Sequence, residues 1–437
     1  MIFYSTKTSS HKAKLEEAIF RSLPPDNGLY MPEHIPSLSQ AFLDDIQNKT
    51  FKEIAIEVTH TLLSDDLTRQ EVVEIIDLAY DFEAPTQRIS EDVYVLELFH
   101  GPSMAFKDFG ARFMAALMSY FLKRNNKELN ILVATSGDTG GAVAQGFFDV
   151  PGISVTILYP SGKVSDIQEK QLTTLGHNVQ ALEVDGTFDD CQKLVKEAFL
   201  DQELNERFNL ASANSINIAR LIPQSFYYFA AYAQLKQLGK PIVFAVPSGN
   251  FGNLSAGLLA FRMGLPAAHF VAATNKNNAV PRYLESGTYN PLPSIETISN
   301  AMDVGNPSNF VRLTRFFQED LNLIREKVSG YYFDDSQTRD AMRELNDALE
   351  YIACPHTAVA YLGLEAYRKE SNSDFVGVFL STAHPAKFID LVEQTLGKSI
   401  EVPERLQKLL SLPKTATKLS SDFISFKDLL ISTLSKK

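Results

Sequence analysis

The stretch Pro241–Gly264 decides the fold and reads PIVFAVPSGNFGNLSAGLLAFRMG. It passes from a continuous apolar run into a cluster of glycine and asparagine, and then into a helical segment beginning near Asn253. Gly249 and Gly252 allow the backbone to approach a ligand closely, and successive amides at a helix N-terminus bind anions. The stretch therefore predicts a buried strand followed by either a phosphate-binding turn or an ordinary tight connection to a helix.

Other apolar runs have the same character and alternate with helical segments. They are NILVAT (130–135), ISVTILYP (153–160), NVQALEVD (178–185), HFVAATN (269–275) and DFVGVFLST (374–382). Near-continuous apolar strands separated by helices indicate an α/β fold with a parallel sheet covered on both faces. From Lys14 to about Ile89 the pattern predicts short amphipathic helices broken by LPPDNG and MPEHIP, and from Val402 to Lys437 it again predicts amphipathic helix.

A second glycine-rich turn follows the strand at 130–135 and reads ATSGDTGGAVAQGFF. Its glycines do not fit the dinucleotide spacing GxGxxG, and the chain contains no Walker sequence GxxxxGK[ST], so a nucleotide is not the preferred ligand. Ser136, Asp138 and Thr139 offer donors and acceptors suited to a carboxylate or a ring hydroxyl. The alternative is that Asp138 or Thr139 only caps the following helix.

The segment HGPSMAFKDFGARFMAALMSYFL contains a lysine in an apolar setting. A Gly-Pro turn predicts a helix from about Ser103, on which Asp108 and Arg112 form an i,i+4 pair and, with Ser119, a narrow polar strip. Lys107 falls on a different face, with Gly110, Ala111, Met114, Met118 and Phe121.

Burial of this lysine amine has a chemical consequence. A buried amine is costly to charge, so its pKa falls and it becomes the neutral nucleophile that Schiff-base chemistry requires. The alternatives are a lysine whose amine reaches solvent and one that is ion-paired with Asp108. The pattern alone leaves these three interpretations of Lys107 open.

Charge restricts the class of partner. The chain has 437 residues and a formal net charge of -12, whereas binding to nucleic acid requires a basic face, so we expect no nucleic-acid partner. An anionic small molecule is compatible with this charge if the site supplies its own cations or oriented amides.

Cysteine usage and hydropathy bear on the compartment. Neither Cys191 nor Cys354 lies in a pattern with metal-ligand spacing, so we predict no metal site and expect a reducing compartment. The N-terminal residues do not have the pattern of a secretory signal, and no apolar run approaches the roughly 18 residues of a membrane span. We therefore expect a cytoplasmic protein without a membrane partner, either a monomer or a homodimer.

Taken in order, AFKDFGAR, ATSGDTGGAVA and PSGNFGN resemble the pyridoxal-phosphate enzymes of fold type II. Further segments narrow the resemblance to the threonine synthase family: FYSTKT, DNGLYMP, YPSGKVSDIQEKQL, SANSINIARLIPQ, AMDVGNPSNF, CPHTAVA and STAHPAKF. The resemblance covers nearly the whole chain. It implies two parallel or mixed open sheets flanked by helices, with pyridoxal 5'-phosphate as the cofactor.

The resemblance also assigns cofactor-binding residues. It implies that Lys107 holds the cofactor as a Schiff base and later acts as acid and base, and that Thr382 faces the pyridine nitrogen. It places Asp138 beside the ring hydroxyl, where many relatives carry asparagine. The cofactor phosphate is assigned to the loop of Gly249, Asn250, Phe251, Gly252 and Asn253.

The substrate that the resemblance implies is O-phospho-L-homoserine, which reacts with water to give L-threonine and phosphate. Lys163 and Arg220 are the candidate cations for this ligand, together with Ser136 and Thr139, although either cation is alternatively a solvated surface charge. The alternative functions are a phospho-lyase that gives 2-oxobutyrate and a non-catalytic protein that binds the cofactor. His100, His356 and His384 lie near family segments but are expected to be structural.

The resemblance and the strand pattern together predict four regions. Residues 1–92 form a helical N-terminal region, and residues 93–129 with 241–400 form a large cofactor-binding domain. Residues 130–240 form a smaller interleaved α/β domain, which is the candidate moving part. Residues 401–437 form a helical C-terminal extension.

Overall fold

A computed structural model describes residues 1–125, 128–371 and 373–435. The strands are β1 (Ile2–Ser5), β2 (Lys12–Lys14), β3 (Tyr30–Pro32), β4 (Thr86–Ser90), β5 (Val93–Glu97), β6 (Leu129–Ala134), β7 (Ile153–Pro160), β8 (Val179–Asp185), β9 (Leu210–Ser212), β10 (Ile242–Pro247), β11 (Ala267–Thr274), β12 (Val328–Tyr332), β13 (Val376–Ser381) and β14 (Thr417–Ser420).

The helices up to the second sheet are α1 (Leu15–Arg21), α2 (Gln40–Asp45), α3 (Phe51–Leu63), α4 (Arg69–Ala79), α5 (Lys107–Asn125), α6 (Asp138–Gly146), α7 (Asp166–Thr173), α8 (Phe188–Leu200), α9 (Gln202–Arg207), α10 (Ile218–Leu221) and α11 (Phe226–Leu235). The remaining helices are α12 (Gly252–Arg262), α13 (Ala279–Ser286), α14 (Phe310–Phe316), α15 (Leu321–Lys327), α16 (Asp335–Asp347), α17 (Pro355–Glu370), α18 (Ile389–Leu396), α19 (Glu404–Leu410) and α20 (Phe423–Leu434).

The larger of the two open sheets has six strands in the order β12-β11-β10-β13-β5-β4. All neighbours are parallel except β4, which pairs antiparallel with β5 at one edge. Strands β10, β11 and β13 lie in the predicted runs, so the expected mixed sheet is confirmed. Its inner strands β10 and β13 are buried along their whole length, as expected of strands covered on both faces.

The second open sheet has five parallel strands in the order β14-β8-β7-β6-β9. Strands β6, β7 and β8 are the runs predicted near residues 130, 153 and 178. The prediction that the region from Val402 onward is purely helical was wrong, because β14 lies within it and pairs with β8. Only Leu419 of this strand is buried, so the sequence carries little strand signal there.

The N-terminal helices are confirmed as α1 to α4. Thr50 and Thr68 each form a capping box at the start of α3 and α4, which satisfies backbone donors that the first helical turn leaves free. The region also contains the antiparallel sheet β2-β1-β3, which the pattern did not predict. No helix within the described residues has the length and apolar character needed to cross a membrane.

Helix α5 is buried beside both open sheets and places Lys107 at its N-terminal end. The expected start near Ser103 was wrong. Ala105 instead forms a β-bridge with Ala383, and the Phe106 amide donates to the Thr382 carbonyl at 2.8 Å. The Met104 amide also donates to the Gly101 carbonyl, and Met104 has a φ of 57°, so the residues before Lys107 form a turn and the helix begins only at Lys107.

The predicted polar strip on α5 was also wrong. Arg112 does not pair with Asp108 but donates to the Ala79 carbonyl at 2.6 Å and pairs with Asp81 at 3.3 Å. Asp108 and Ser119 are both buried. Helical spacing placed these residues correctly on the helix, but it did not show that α4 and the turn before α5 cover that face.

Candidate active site

The Lys107 amine makes no hydrogen bond or ion pair with the described residues. Its nearest recorded partner is the Phe106 ring, whose centroid is 5.6 Å from Nζ. An ion pair with Asp108 is absent there, since that carboxylate instead accepts from the Ser103 amide at 2.9 Å. Burial is the main reason that the pKa of Lys107 falls to about 8; the Asp138 carboxylate opposes this shift, and the charges of Arg220 and Lys387 add to it.

The turn from Gly249 to Asn253 leads from β10 into α12. Within the described part of the chain, no backbone amide of these five residues donates to a protein acceptor. The turn is held from outside, because the Asn250 carbonyl accepts from Asn309 Nδ2 at 3.0 Å and Asn250 Nδ2 donates to Ser215 Oγ at 2.8 Å. It therefore presents a row of free amides at a helix N-terminus, which is an anion site.

Close packing on this turn requires a glycine. A Cβ at Gly249 would lie 2.7 Å from the Met302 Cα and 3.1 Å from the Ala301 carbonyl oxygen. Both contacts are with backbone, which has no side-chain freedom to move away. Because Gly249 has no side chain, the backbone around Met302 can pack directly against the turn.

Asn253 supplies a further donor at the same turn. Its Oδ1 accepts from the Tyr227 and Tyr228 hydroxyls, both at 2.7 Å. Its Nδ2 is buried and has no partner among the described residues. A buried donor left unpaired costs about 1–3 kcal/mol, so a ligand acceptor at this position would remove a penalty that the protein otherwise carries.

Thr382 follows β13 and lies beside the start of α5 through its carbonyl contact with Phe106. The residue is buried, and its hydroxyl makes no hydrogen bond with the described residues. The preceding Ser381 hydroxyl is instead engaged by Thr357 Oγ1 at 2.9 Å. Thr382 therefore retains a free hydroxyl in the region of Lys107.

The second turn, between β6 and α6, carries the buried carboxylate of Asp138. Asp138 does not cap α6, because the N-cap is Gly137 and Asp138 is the first helical residue. Its Oδ1 pairs with Lys387 Nζ at 2.8 Å and accepts from Gln168 Nε2 at 3.0 Å. Burial raises the pKa of Asp138, but Lys387 and Lys107 outweigh this effect and hold it below its usual value.

Ser136 and Thr139 flank Asp138 on this turn. Ser136 is exposed and Thr139 is partly buried. Neither hydroxyl has a hydrogen-bond partner in the part of the chain that the structure describes. Both hydroxyls are therefore available to a ligand next to the Asp138 carboxylate.

Lys387 is a site residue that the sequence analysis missed. Its side chain is fully buried, and besides Asp138 its amine contacts the Ser103 carbonyl at 2.8 Å. A signal was available, since Lys387 stands in the apolar setting HPAKFIDL much as Lys107 stands in MAFKDF. Its partner is remote in sequence, however, so no spacing pattern connects the two.

The two candidate cations for the substrate have different surroundings. Arg220, on α10, is buried, donates through Nη1 to the Ala213 carbonyl and leaves Nε without a partner in the described structure. Burial lowers the pKa of Arg220 to about 10, and Arg220 in turn influences the pKa of Lys107. Lys163 is exposed on the connection from β7 to α7 and makes no described side-chain contact with these groups.

Arg220 packs closely against α5 because the facing residue of that helix is a glycine. A Cβ at Gly110 would lie 2.8 Å from Arg220 Nε and 3.0 Å from the Arg220 carbonyl oxygen. The glycine one turn after Lys107 therefore allows the guanidinium to lie against α5. This packing places a cation near the lysine amine.

The three histidines make structural hydrogen bonds. His356 Nε2 accepts from the Ala301 amide at 3.2 Å, and His384 Nδ1 accepts from the Ala386 amide at 3.1 Å. His100 Nε2 contacts Glu97 Oε2 at 2.8 Å. Burial lowers the pKa of both His356 and His384 to about 4, so both rings are neutral at pH 7.

These groups fit pyridoxal 5'-phosphate. The free amides and the unpaired Asn253 Nδ2 suit a phosphate, and the unpaired Lys107 amine suits an aldehyde carbon. Thr382 and Asp138 supply a hydroxyl and a carboxylate for the polar atoms of the ring. Each polar part of the cofactor thus has a donor or acceptor of the chain whose chemistry suits it.

The fold and the site define a class, the pyridoxal-phosphate-dependent enzymes of fold type II. Residues 80–382 match the protein family described as "Pyridoxal-phosphate dependent enzyme". Residues 2–80 match the family "Threonine synthase N terminus", and residues 357–429 match "Threonine synthase, C-terminal". The chain belongs to the threonine synthase family, and its cofactor is pyridoxal 5'-phosphate.

Individual relatives support this assignment over the full length. The threonine synthase of Escherichia coli strain K12 is 42% identical and the match covers 99% of this chain and 100% of that protein. The crystal structure of threonine synthase from Escherichia coli has a TM-score of 0.91 at 41% identity and covers 99% of this chain and 100% of that one. The PLP-bound threonine synthase from Brucella melitensis has a TM-score of 0.93 at 32% identity and covers 98% of each chain.

Proposed function

We propose that this enzyme converts O-phospho-L-homoserine and water into L-threonine and phosphate. The observation that carries the proposal is the Lys107 amine, which makes no hydrogen bond or ion pair with the described residues and lies near the charges of Asp138, Arg220 and Lys387. Membership of the threonine synthase family supports the choice of reaction, and the buried Arg220 supports an anionic substrate.

Four parts of the chain hold the cofactor in this proposal. Lys107 binds its aldehyde carbon, the turn 249–253 binds its phosphate, Thr382 faces the ring nitrogen and Asp138 lies beside the ring hydroxyl. When bound there, the cofactor supplies an electron sink for carbanions of the substrate. A neutral hydroxyl at Thr382 leaves the ring nitrogen largely unprotonated, in contrast to folds that place a carboxylate opposite it.

The substrate carries a carboxylate and a phosphate, so the site needs local cations and donors in a chain of net charge -12. We assign Arg220 to one of these anionic groups, because a buried guanidinium with an unpaired Nε is ready to donate. Ser136 and Thr139 add hydroxyl donors at the second turn. Lys163 stays a predicted substrate residue whose exposed amine the described contacts do not connect with this set.

Lys107 is also proposed to move protons. A lysine whose pKa is lowered to about 8 exchanges protons readily near neutral pH, which suits a general acid and base. With cofactor and substrate bound, the Lys107 amine would remove and return protons at the substrate carbons. We place the reaction in the cytoplasm, which the two buried free thiols of Cys191 and Cys354 support.

The test is product analysis with purified protein, pyridoxal phosphate and O-phospho-L-homoserine. Threonine and phosphate in equal amounts are expected, and Lys107→Ala should form neither. If 2-oxobutyrate and ammonia are the main products, the phospho-lyase alternative replaces the proposal. A protein that binds the cofactor but releases no phosphate would instead be the non-catalytic alternative.

A further inference from the structure

Lys387, which is buried, and Lys107, which is partly buried, lie in the same site but have opposite surroundings. Lys107 has no hydrogen-bonding partner among the described residues, whereas Lys387 contacts Asp138 Oδ1 and the Ser103 carbonyl, both at 2.8 Å. An amine with two acceptors is held as an ammonium ion and is unavailable as a nucleophile. The contacts thus distinguish the lysine that reacts from the lysine that carries charge.

The contact between Lys387 and Asp138 also joins the two open sheets. Asp138 begins α6 at the end of β6 in the five-stranded sheet, and Lys387 follows β13 of the six-stranded sheet. Gln168 Nε2 holds the same carboxylate oxygen at 3.0 Å, and Ser165 Oγ donates to the Lys387 carbonyl at 3.3 Å. The carboxylate is therefore held in position by residues next to both open sheets.

We propose that Lys387 is a positioning residue that keeps Asp138 ionised and in place. Lys107 then lies beside a carboxylate whose negative charge is balanced by Lys387 rather than beside an unpaired carboxylate. The inference rests on the proposed function only in that Lys107 carries the cofactor. A bare carboxylate would stabilise the protonated form of the amine or of the cofactor linkage at Lys107. Lys387 balances this charge without touching the reacting atoms.

The charged and titratable groups near the pair all contribute to this balance. They come from α5, α6, α10, the start of α17 and the segment after β13, and they are Lys107, Asp108, Asp138, Arg220, Cys354, His356, His384 and Lys387. Burial keeps His356 and His384 neutral above about pH 4 and raises the pKa of the Cys354 thiol. Asp138 and Lys387 are therefore the oppositely charged groups that pair with each other, and the effects of removing each charge can be compared directly.

The experiment is a pH titration of the absorbance band of the bound cofactor in Asp138→Asn and Lys387→Met. Lys387→Met leaves the carboxylate uncompensated and should raise the pKa of the bound chromophore, whereas Asp138→Asn should lower it. We expect the two values to differ by about one unit or more, with the double variant between them. Equal values in the two single variants, or the reverse order, overturn the inference.

A control separates this effect from the loss of any doubly paired lysine. Lys414 pairs with Glu169 at 2.7 Å and Glu183 at 2.8 Å, so Lys414→Met removes a doubly paired lysine outside the site. It should leave the chromophore pKa at the wild-type value. A shift as large as that in Lys387→Met would overturn the positioning role.

Thermal unfolding of the cofactor-free protein gives a second readout that does not need the chromophore. Each single variant leaves one buried charge unpaired, so both should melt below the wild type, and the double variant should melt above the less stable single variant. Strictly additive losses overturn the pair. A wild-type band that persists in Lys107→Ala would instead overturn the proposed function, whereas a normal band with unshifted variants overturns only this inference.

Discussion

The two glycine-rich turns of the site begin alike and end differently. Each follows a buried parallel strand and opens a helix, one at 249–253 and the other at 135–140. In the first turn the amides are free and the polar side chains are neutral. In the second, Thr135 Oγ1 accepts from the Gly137 and Gly140 amides at 3.0 and 2.8 Å, and the turn presents the charged pair of Asp138 and Lys387.

This difference shows that a strand, a glycine-rich turn and a helix do not by themselves make an anion site. Whether the amides remain free depends on one side chain, since the Thr135 hydroxyl uses two of them inside the second turn. Free amides present positive potential to a phosphate, whereas the second turn acts through its side chains. Lys107 lies under the influence of the second turn, because the charges of Asp138 and Lys387 act on its pKa.

The largest expected effect comes from pH, because the charged turn and Arg220 act on Lys107 while the first turn adds no charge. Since the pKa of Lys107 is about 8, its neutral fraction rises tenfold per pH unit below pH 8 and then levels off. The rate constant for covalent attachment of pyridoxal phosphate to cofactor-free protein should rise about 50-fold from pH 6 to 8.

Stopped-flow absorbance measures this rate, with Lys107→Ala as the control that shows no attachment. A rate that continues to rise tenfold per unit to pH 10 would show an ordinary lysine. In that case the charges of the second turn would have no influence on the amine.

Gly249→Ala tests the neutral turn. Its Cβ would contact the backbone of Met302 at 2.7 Å, so the turn or the neighbouring segment must shift. We expect a loss of about 1–3 kcal/mol, measured as an about 5- to 150-fold weaker affinity for pyridoxal phosphate. Fluorescence titration of the cofactor-free protein measures it.

Gly252→Ala is the matched control for that substitution. Its Cβ has Asn309 Nδ2 as its nearest neighbour at 3.5 Å, which is ordinary contact, so the variant should fold with wild-type stability. If Gly249→Ala binds the cofactor as tightly as the wild type, the close fit of the first turn is not needed for binding.

Thr135→Val tests the internal hydrogen bonds of the second turn. It leaves the buried Gly137 and Gly140 amides without their acceptor, which should lower the free energy of unfolding by about 2 kcal/mol. Urea unfolding measures the loss. Unchanged stability would show that the two amides find other acceptors and that the turns are more alike than their hydrogen bonds indicate.

Ser136→Ala should have the smallest effect. The hydroxyl is exposed and has no partner in the described structure, so neither stability nor cofactor affinity should change. If the hydroxyl binds substrate, KM rises about fivefold, equivalent to about 1 kcal/mol for one hydrogen bond. Steady-state kinetics with O-phospho-L-homoserine measures it, and an unchanged KM would remove Ser136 from the substrate site.

Local sequence was sufficient for the strands β6, β7, β8, β10, β11 and β13 and for the apolar surroundings of Lys107. The strands alternate with helices in a regular way, and the residues predicted to share the Lys107 face of α5 are all buried: Gly110, Ala111, Met114, Met118 and Phe121. Such patterns depend on neighbours in the chain. The free amides at 249–253 were likewise foreseen from a glycine-rich turn before a helix.

Features that depend on remote contacts were not predictable. Lys387, the partner of Asp138, follows the last strand of the six-stranded sheet in sequence, so the pattern at Asp138 indicated a ligand contact or a helix cap but not this ion pair. Arg220 and Lys163 looked equivalent as candidate cations. Their difference in burial arises because Arg220 packs against Gly110 of α5, whereas Lys163 lies on an exposed connection.

The pairing of β14 with β8 bears on how the chain folds during synthesis. Until residues 417–420 have returned to the sheet, the β8 edge presents unpaired N–H and C=O groups, which are a template for association with other chains. Strand β14 is itself short and carries the exposed Lys418, a combination that discourages further pairing. Late in synthesis, this strand therefore replaces an aggregation-prone edge with a protected one.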